Sequence, residues 1–176
     1  MTGASADRLA HALAPLVQRV RTDATAVKHA DGRQAWTSQA LTPDRLAQHV
    51  NGGPARGVCP IKPGQSVTMV GLLDFDSHKG DVGWTQMSAV AHEVMDTLDM
   101  LGAAPLAFRS SGGRGIHVIC LWDTPQDAHS VRVFLDQVLQ GCGLRNGTGG
   151  VGAGQVEVFP KQAAVPEGGM GSQFIL

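Results

Sequence analysis

Four polar side chains interrupt or end short apolar runs, and their residue types suit metal chemistry. Asp74 and Asp76 close the run SVTMVGLLDFD, His117 lies within GIHVICLW, and Glu157 lies within QVEVF. Carboxylate oxygens favour Mg²⁺ or Mn²⁺ over Zn²⁺ as ligands. Three carboxylates in close contact also need a counter-charge to stay ionised. Brought together, these residues predict a site for two divalent ions that suits in-line attack on a phosphoryl group.

Basic residues flank these acids along the chain. Arg109 and Arg114 border the turn RSSGGRG, and Lys161 follows Glu157 by four residues. The exposed amides and guanidinium groups of such a turn can cradle an anion. Acids at the centre with bases around them predict a site for metal ions and a polyphosphate.

The strands and helices that position these residues are predicted from residue 66 onward. Apolar periodicity predicts strands over 66–75, 105–108, 115–122 and 155–159, and amphipathic helices over 83–101 and 127–140. The order β-α-β-β-α-β indicates an α+β fold with the RRM-like, or ferredoxin-like, split βαβ core. Its sheet places the first strand between the third and the fourth, with both helices on one face.

This topology predicts where the polar side chains meet. Side chains alternate between the two faces of a strand, so Asp74 and Asp76 share a face, opposite to Leu73 and Phe75. By the same alternation, His117 and Glu157 point away from their apolar neighbours. If the apolar sets face the helices, the acids and the histidine emerge together on the open face of three adjacent strands.

Before the core lies a segment that is harder to interpret. Leucines and valines at helical spacing predict a helix within the first 20 residues, and residues 22–40 are polar and predicted to be irregular. We predict an N-terminal α-rich extension over 1–41 and a catalytic domain over 42–176. Thr42 and Pro43 begin its first helix, which ends near Val50. The apolar end Phe-Ile-Leu predicts that the domain continues beyond residue 176.

Composition excludes several classes of protein. Hydrophobic residues make up 43% of the 176, which excludes a disordered chain. No run reaches the roughly 18 apolar residues of a membrane span, and the first residues are not a secretory signal. Three cysteines without a CxxC pair predict a reducing, cytoplasmic location. Lys and Arg number 14 against 15 Asp and Glu, so the overall charge does not indicate nucleic-acid binding.

Three segments together resemble the motifs of the archaeo-eukaryotic primase superfamily. They are Asp74-Phe75-Asp76, Ser111-Gly112-Gly113-Arg114-Gly115-Ile116-His117 and Val156-Glu157-Val158. The resemblance is closest to primase-polymerase domains of mobile elements and TOTE conflict systems, and it covers about residues 42–176. In that branch, residues 49–61, 157–162 and 169–176 are similar to the H-x-x-G, E-h-F-P-K-Q and glycine segments. Cys59 stands where a tyrosine is common, and Ser172 stands near an expected asparagine.

The resemblance implies a primase-polymerase catalytic domain that joins nucleotides on a DNA template. Its implied partners are nucleoside triphosphates, a DNA template with its primer, and a helicase module in the full-length protein, with no membrane. Two Mg²⁺ or Mn²⁺ ions are implied as cofactors, held by the catalytic acids Asp74, Asp76 and Glu157. The implied triphosphate ligands are Ser111, Arg114 and His117. On the ground of charge, we add Arg109 and Lys161 to the nucleotide-binding set.

Two alternatives stay open at the level of sequence. An apolar run ending in D-x-D also begins haloacid-dehalogenase-like phosphatases, whose first aspartate is a nucleophile. That family needs parallel α/β order and a Thr or Val where this chain has His78. An RRM-like sheet can instead bind single-stranded nucleic acid by stacking bases on aromatic residues, which form only 5% of this chain. The second alternative is therefore a catalytically weak nucleic-acid-binding domain.

Overall fold

The strand that carries the two aspartates lies inside a five-stranded sheet. The computed structural model describes residues 3–28, 33–78, 80–110 and 113–176. In sheet order, the strands are β5 (Leu106–Arg109), β6 (Ile116–Asp127), β4 (Val67–Phe75), β8 (Gln155–Phe159) and β7 (Arg145–Asn146). All neighbours are antiparallel except β7 and β8. The predicted arrangement is confirmed, with β4 between β6 and β8.

Two helices cover one face of this sheet. They are α3 (Trp84–Met100) and α4 (Ala128–Gly141), within a residue or two of the predicted bounds. Their buried sides pack against Leu73 and Phe75 of β4. At Gly71, a Cβ atom would lie 2.9 Å from Leu135 Cδ1 and 3.1 Å from the Trp122 ring, so the missing side chain allows α4 to approach β4 closely.

The chain forms a second sheet of four strands. Its order is β2 (Gln34–Thr37), β1 (Thr25–Lys28), β3 (Ala55–Val58) and β9 (Phe174–Ile175), all antiparallel. Residues 22–40 were predicted to be irregular, and β1 and β2 show that this prediction was wrong. Both strands have four residues and no clear apolar alternation, so neither carries the local pattern of a strand. The domain boundary between residues 41 and 42 stays a prediction.

The face that carries the acids is covered along most of its length, so the predicted open face needs correction. Val70, Leu72 and Ile119 on that face are buried in one apolar cluster with residues from α1 (Gly3–Val17), α2 (Pro43–Val50), β3 and β9. Apolar side chains at alternate positions on both faces require cover on both faces. The end of the sheet near Asp74 stays accessible, between the two sheets.

Helix α2 confirms its predicted start and contacts the edge of the second sheet where β3 pairs with β9. Thr42 Oγ1 accepts a hydrogen bond from the Arg45 amide, which caps the helix. At its other end, His49 Nδ1 accepts from the Arg56 amide, so Nε2 carries the proton and donates to the Leu176 carbonyl at 3.0 Å. Burial lowers the pKa of His49 from its ordinary value of 6.5, and the nearby Arg56 charge adds to this. Among the described residues, no helix is long and apolar enough to cross a membrane.

We expect His49 to make the protein sensitive to mild acid. The unfolded chain binds a proton at His49 more readily than the folded protein, so stability falls as pH decreases through about 6.5. Urea unfolding of the wild type at about pH 7.5 and pH 5 should show this loss, and His49→Gln should reduce it. The exposed His92→Gln is the matched control. A His49→Gln variant with the full wild-type pH dependence would contradict the assignment.

Candidate functional site

Strand register brings three of the predicted residues together. Asp74 is the direct partner of His117 on β6 and of Glu157 on β8. Direct cross-strand neighbours have Cβ atoms about 4.5–5.5 Å apart. Asp76 follows the end of β4 on the same face. The convergence that alternation predicted is therefore present in the structure.

These side chains line a cavity of about 670 Å³ between the two sheets. This volume lies within the range of roughly 300–1,000 Å³ that is usual for small-molecule sites. The predicted residues that line it are Asp74, Asp76, Arg114, His117, Glu157 and Lys161. Acids and bases thus share one wall of the cavity, as the sequence predicts for metal ions and a polyphosphate.

Of the predicted residues that the structure describes, Arg109 is not among this lining. Ser111 lies outside the described residues, although its neighbour Ser110 lines the cavity. Arg109 is the strand partner of Ile116, which packs toward the helices. Its guanidinium stacks 3.9 Å from the ring centroid of Trp84, at the start of α3. The nucleotide-binding role predicted for Arg109 therefore gains no support from its position.

One oxygen of the Asp74 carboxylate is buried. The side chain is 18% exposed, and its Oδ1 atom accepts no hydrogen bond from the residues that the structure describes. The Nε2 atom of His117 lies 3.4 Å from this oxygen. A buried carboxylate oxygen without a partner costs free energy that a bound cation offsets. This oxygen fits a divalent ion.

Asp76 is held in an environment that disfavours its charge. Burial raises the pKa of Asp76 above its ordinary value of 3.8, and the neighbouring charges of Asp74 and Glu157 raise it further. His78 and His117 act in the opposite direction, and their effect is smaller than that of burial. A divalent ion beside Asp76 reverses this balance because it favours the ionised carboxyl.

Glu157 forms an ion pair with a lysine of the same chain. Lys161 Nζ is in contact with Glu157 Oε2, four residues away, and lies 4.8 Å from the ring centroid of Phe159. Within the described part of the chain, no group of three His, Cys, Asp or Glu side chains is arranged to hold a metal ion. The candidate ligands therefore line one wall without forming a preorganised site, and Lys161 contacts one of the two carboxylate oxygens of Glu157.

Glycines allow the backbone to approach Asp76. A Cβ atom on Gly115 would lie 2.6 Å from Asp76 Oδ1 and 2.8 Å from the Phe75 carbonyl oxygen. Gly150 has a positive φ of 77°, and its Cβ would lie 2.8 Å from the Asp76 carbonyl oxygen. The turn before β6 closes through Ser110 Oγ, which accepts from the Gly115 amide at 3.0 Å. This turn carries Arg114 to the cavity.

The second sheet supplies cavity residues that the sequence reasoning missed. They are Lys28, Gln34, Ser172 and Gln173. The glycine segment over 169–176 gave a signal for the last two, because it resembles a family motif. Lys28 and Gln34 had none, because β1 and β2 were not predicted.

The fold is that of an archaeo-eukaryotic primase domain. The family model of the archaeo-eukaryotic primase domain of TOTE conflict systems matches residues 14–176. The chain belongs to this family, which confirms the resemblance found in the sequence. At the level of the family, the comparisons support nucleotidyl transfer as the activity. None of the curated proteins matches the sequence.

A solved structure supports the fold. The polymerase domain of Mycobacterium tuberculosis ligase D, in complex with DNA, is similar with a TM-score of 0.60 and 19% sequence identity. The alignment covers 97% of this chain and 73% of that domain. The antiparallel pairing of β4 with β6 and β8 also excludes the haloacid-dehalogenase alternative, which needs a parallel sheet.

We expect Asp76→Asn to stabilise the metal-free protein. The unfolded chain loses the Asp76 proton at lower pH than the folded protein, so ionisation of Asp76 lowers the free energy of unfolding as pH rises past about 4. In EDTA, Asp76→Asn should raise Tm at about pH 7.5 and leave it nearly unchanged at about pH 4. The exposed Asp99→Asn is the control. A Tm at or below that of the wild type near pH 7.5 would contradict this account of the site.

Proposed function

We propose that this chain is the catalytic domain of a primase-polymerase, a DNA-directed nucleotidyltransferase that extends or synthesises primers by a two-metal mechanism. The observation that carries the proposal is the unpartnered, buried Oδ1 of Asp74, in register with Glu157 inside a cavity that also contains Arg114 and Lys161. Carboxylates that can bind metal ions therefore line the same cavity as basic side chains that can bind phosphates. Family membership supports the same reaction class.

Asp74, Asp76 and Glu157 are the proposed ligands of two Mg²⁺ or Mn²⁺ ions. Such ions, when bound, lower the pKa of an attacking hydroxyl and neutralise charge on the phosphates and the leaving pyrophosphate. The acids orient the ions because Asp74 is fixed on a central strand and Glu157 is fixed beside it. Asp76, at the end of the same strand, lies over the glycine turn that carries Arg114.

Arg114 and His117 are the proposed phosphate ligands. A guanidinium binds phosphate oxygens with two parallel hydrogen bonds. His117 is buried, and its Nε2 faces Asp74, so it lies between the acids and the turn. Ser111 stays in the proposed set on the ground of the motif alone. The proposed partners are nucleoside triphosphates and a DNA template with its primer; a helicase module stays a prediction from the resemblance.

The covered sheet favours this proposal over a binding-only domain. An RRM stacks bases on exposed aromatic residues of its open face. Here α1, α2 and the second sheet cover most of that face, and Phe159 and Phe174 are buried. The accessible end of the face presents carboxylates, which repel a nucleic-acid backbone unless a cation is bound.

Removal of one proposed metal ligand tests the reaction. We expect Asp74→Asn and Glu157→Gln each to lower extension of a primed DNA template by at least about 100-fold, because bound metal contributes several kcal/mol to such steps. The measurement uses labelled ribonucleotides and deoxyribonucleotides with Mn²⁺, and Asp99→Asn is the control. EDTA should abolish the wild-type activity. Wild-type protein that extends nothing, or variants as active as the wild type, would overturn the proposal.

Lys161 gives a second test that does not depend on turnover. Its ammonium competes with a divalent ion for Glu157 as long as the two side chains are in contact. We therefore expect Lys161→Met to raise the affinity for Mn²⁺ in the absence of nucleotide by a few-fold, measured by electron paramagnetic resonance of free Mn²⁺. Lys62→Met, on an exposed lysine that does not line the cavity, is the control. An unchanged or lower Mn²⁺ affinity would show that Lys161 does not compete.

A further inference from the structure

The wall of the cavity opposite the acids has a different chemistry. Gln34 from β2 and Gln173, just before β9, meet there, and Gln173 Nε2 donates to Gln34 Oε1 at 3.1 Å. We call this pair the amide wall. Lys28, the strand partner of Gln34, also lines the cavity. The cavity thus has an ionic side and a largely uncharged side.

The amide wall has free hydrogen-bonding capacity. A carboxamide has two N–H donors and an oxygen with two lone pairs. The bond between the two glutamines uses one donor of Gln173 and one lone pair of Gln34. The Gln173 oxygen and the Gln34 nitrogen are therefore available to a molecule in the cavity. Neutral donors and acceptors side by side match a nucleobase edge or a ribose hydroxyl, whereas phosphate oxygens only accept.

The segment that carries Gln173 is held in place from outside the cavity. Arg21 is 4% exposed, and its guanidinium donates to the carbonyl oxygens of Gly169 at 2.6 Å and Met170 at 3.2 Å. The same guanidinium binds Asp23 through two contacts of 2.8 Å. A buried arginine with all these partners fixes the backbone that it binds.

Two more contacts complete this support. Trp36 on β2 donates from Nε1 to the Gly171 carbonyl at 3.2 Å, and its ring lies 5.5 Å from the Arg21 guanidinium carbon. Gln162 Oε1 accepts from the Ser172 amide at 2.9 Å. Residues 169–172 have no regular secondary structure, so these side chains determine where the segment lies.

We infer that the amide wall contacts the nucleoside part of a bound nucleoside triphosphate, and that Arg21 is the positioning residue that holds this wall. The inference rests on the proposed function, which places the triphosphate at Arg114 and His117. A nucleotide whose phosphates lie on the ionic side extends its sugar and base toward the opposite wall. Arg21 acts through the backbone of 169–170 and does not itself line the cavity.

The test compares ATP with inorganic tripolyphosphate, which has the charged end of the nucleotide and no nucleoside. Both are titrated in Mn²⁺ without DNA. Gln173→Ala and Gln34→Ala should each weaken ATP binding by about two- to tenfold, the range of a single hydrogen bond. Neither should change tripolyphosphate binding. Arg114→Ala, on the ionic side, should weaken both.

Arg21 is tested by conservative rescue. Arg21→Met should weaken ATP binding as Gln173→Ala does and keep tripolyphosphate binding, which also shows that the cavity is folded. Arg21→Lys, which keeps a donor, should recover part of the loss. The matched control is Arg19→Met, because Arg19 also donates to a backbone carbonyl and an aspartate, those of Trp122 and Asp123, away from this wall. If Arg21→Met does not fold, Arg21→Lys and the glutamine variants carry the test.

The outcomes separate this inference from the proposed function. Wild-type protein that binds neither ligand in Mn²⁺ would overturn the proposed function. Wild-type binding of both, with glutamine variants that lose affinity for both equally or for neither, would overturn the inference alone. A loss for ATP that is absent for dATP assigns the contact to the 2′-hydroxyl, and an equal loss for both assigns it to the base or the 3′-hydroxyl. Both of these results support the inference.

Discussion

The structure depends on the cross-strand contacts of one carboxylate, that of Asp74, at the centre of the main sheet. Asp74 sits between His117 and Glu157 on neighbouring strands, with one oxygen buried and unpartnered. Burial and like charge raise the pKa of the neighbouring Asp76, and Glu157 forms an ion pair with Lys161. Without an added cation, ionised Asp76 lowers the stability of the fold. Such a cost is typical of functional sites, where local structure departs from maximum stability.

The rest of the fold gives this arrangement its shape. Helices α3 and α4 fix the back of the sheet, and Gly115 and Gly150 let the backbone close around Asp76. The second sheet turns an exposed sheet face into a cavity with two chemically different walls. The net charge of -1 conceals this local separation of acids, bases and amides. The many glycines have a structural role where tight turns border the acids.

The sequence predicts β4, β6 and β8 well because each carries a continuous apolar run, whereas the two-residue strand β7 was not predicted. Alternation alone placed Asp74, His117 and Glu157 on one face. The second sheet escaped prediction because β1 and β2 are short and because its other pairings, β1 with β3 and β3 with β9, join segments that are distant along the chain. Val70, Leu72 and Ile119, apolar on the acid face, were the available sign that a second layer covers it. The stacking of Arg109 on Trp84 followed from strand register, which residue charge does not encode.

The most direct test of the central claim is a crystal structure with Mn²⁺ and a non-hydrolysable nucleoside triphosphate. Anomalous scattering locates Mn²⁺ independently of the protein coordinates. We expect two peaks coordinated by Asp74, Asp76 and Glu157, with Lys161 moved from Glu157 toward the phosphates and the nucleoside against Gln173. Clear nucleotide density with no peak at these acids would contradict the account, as would ions bound elsewhere in the cavity.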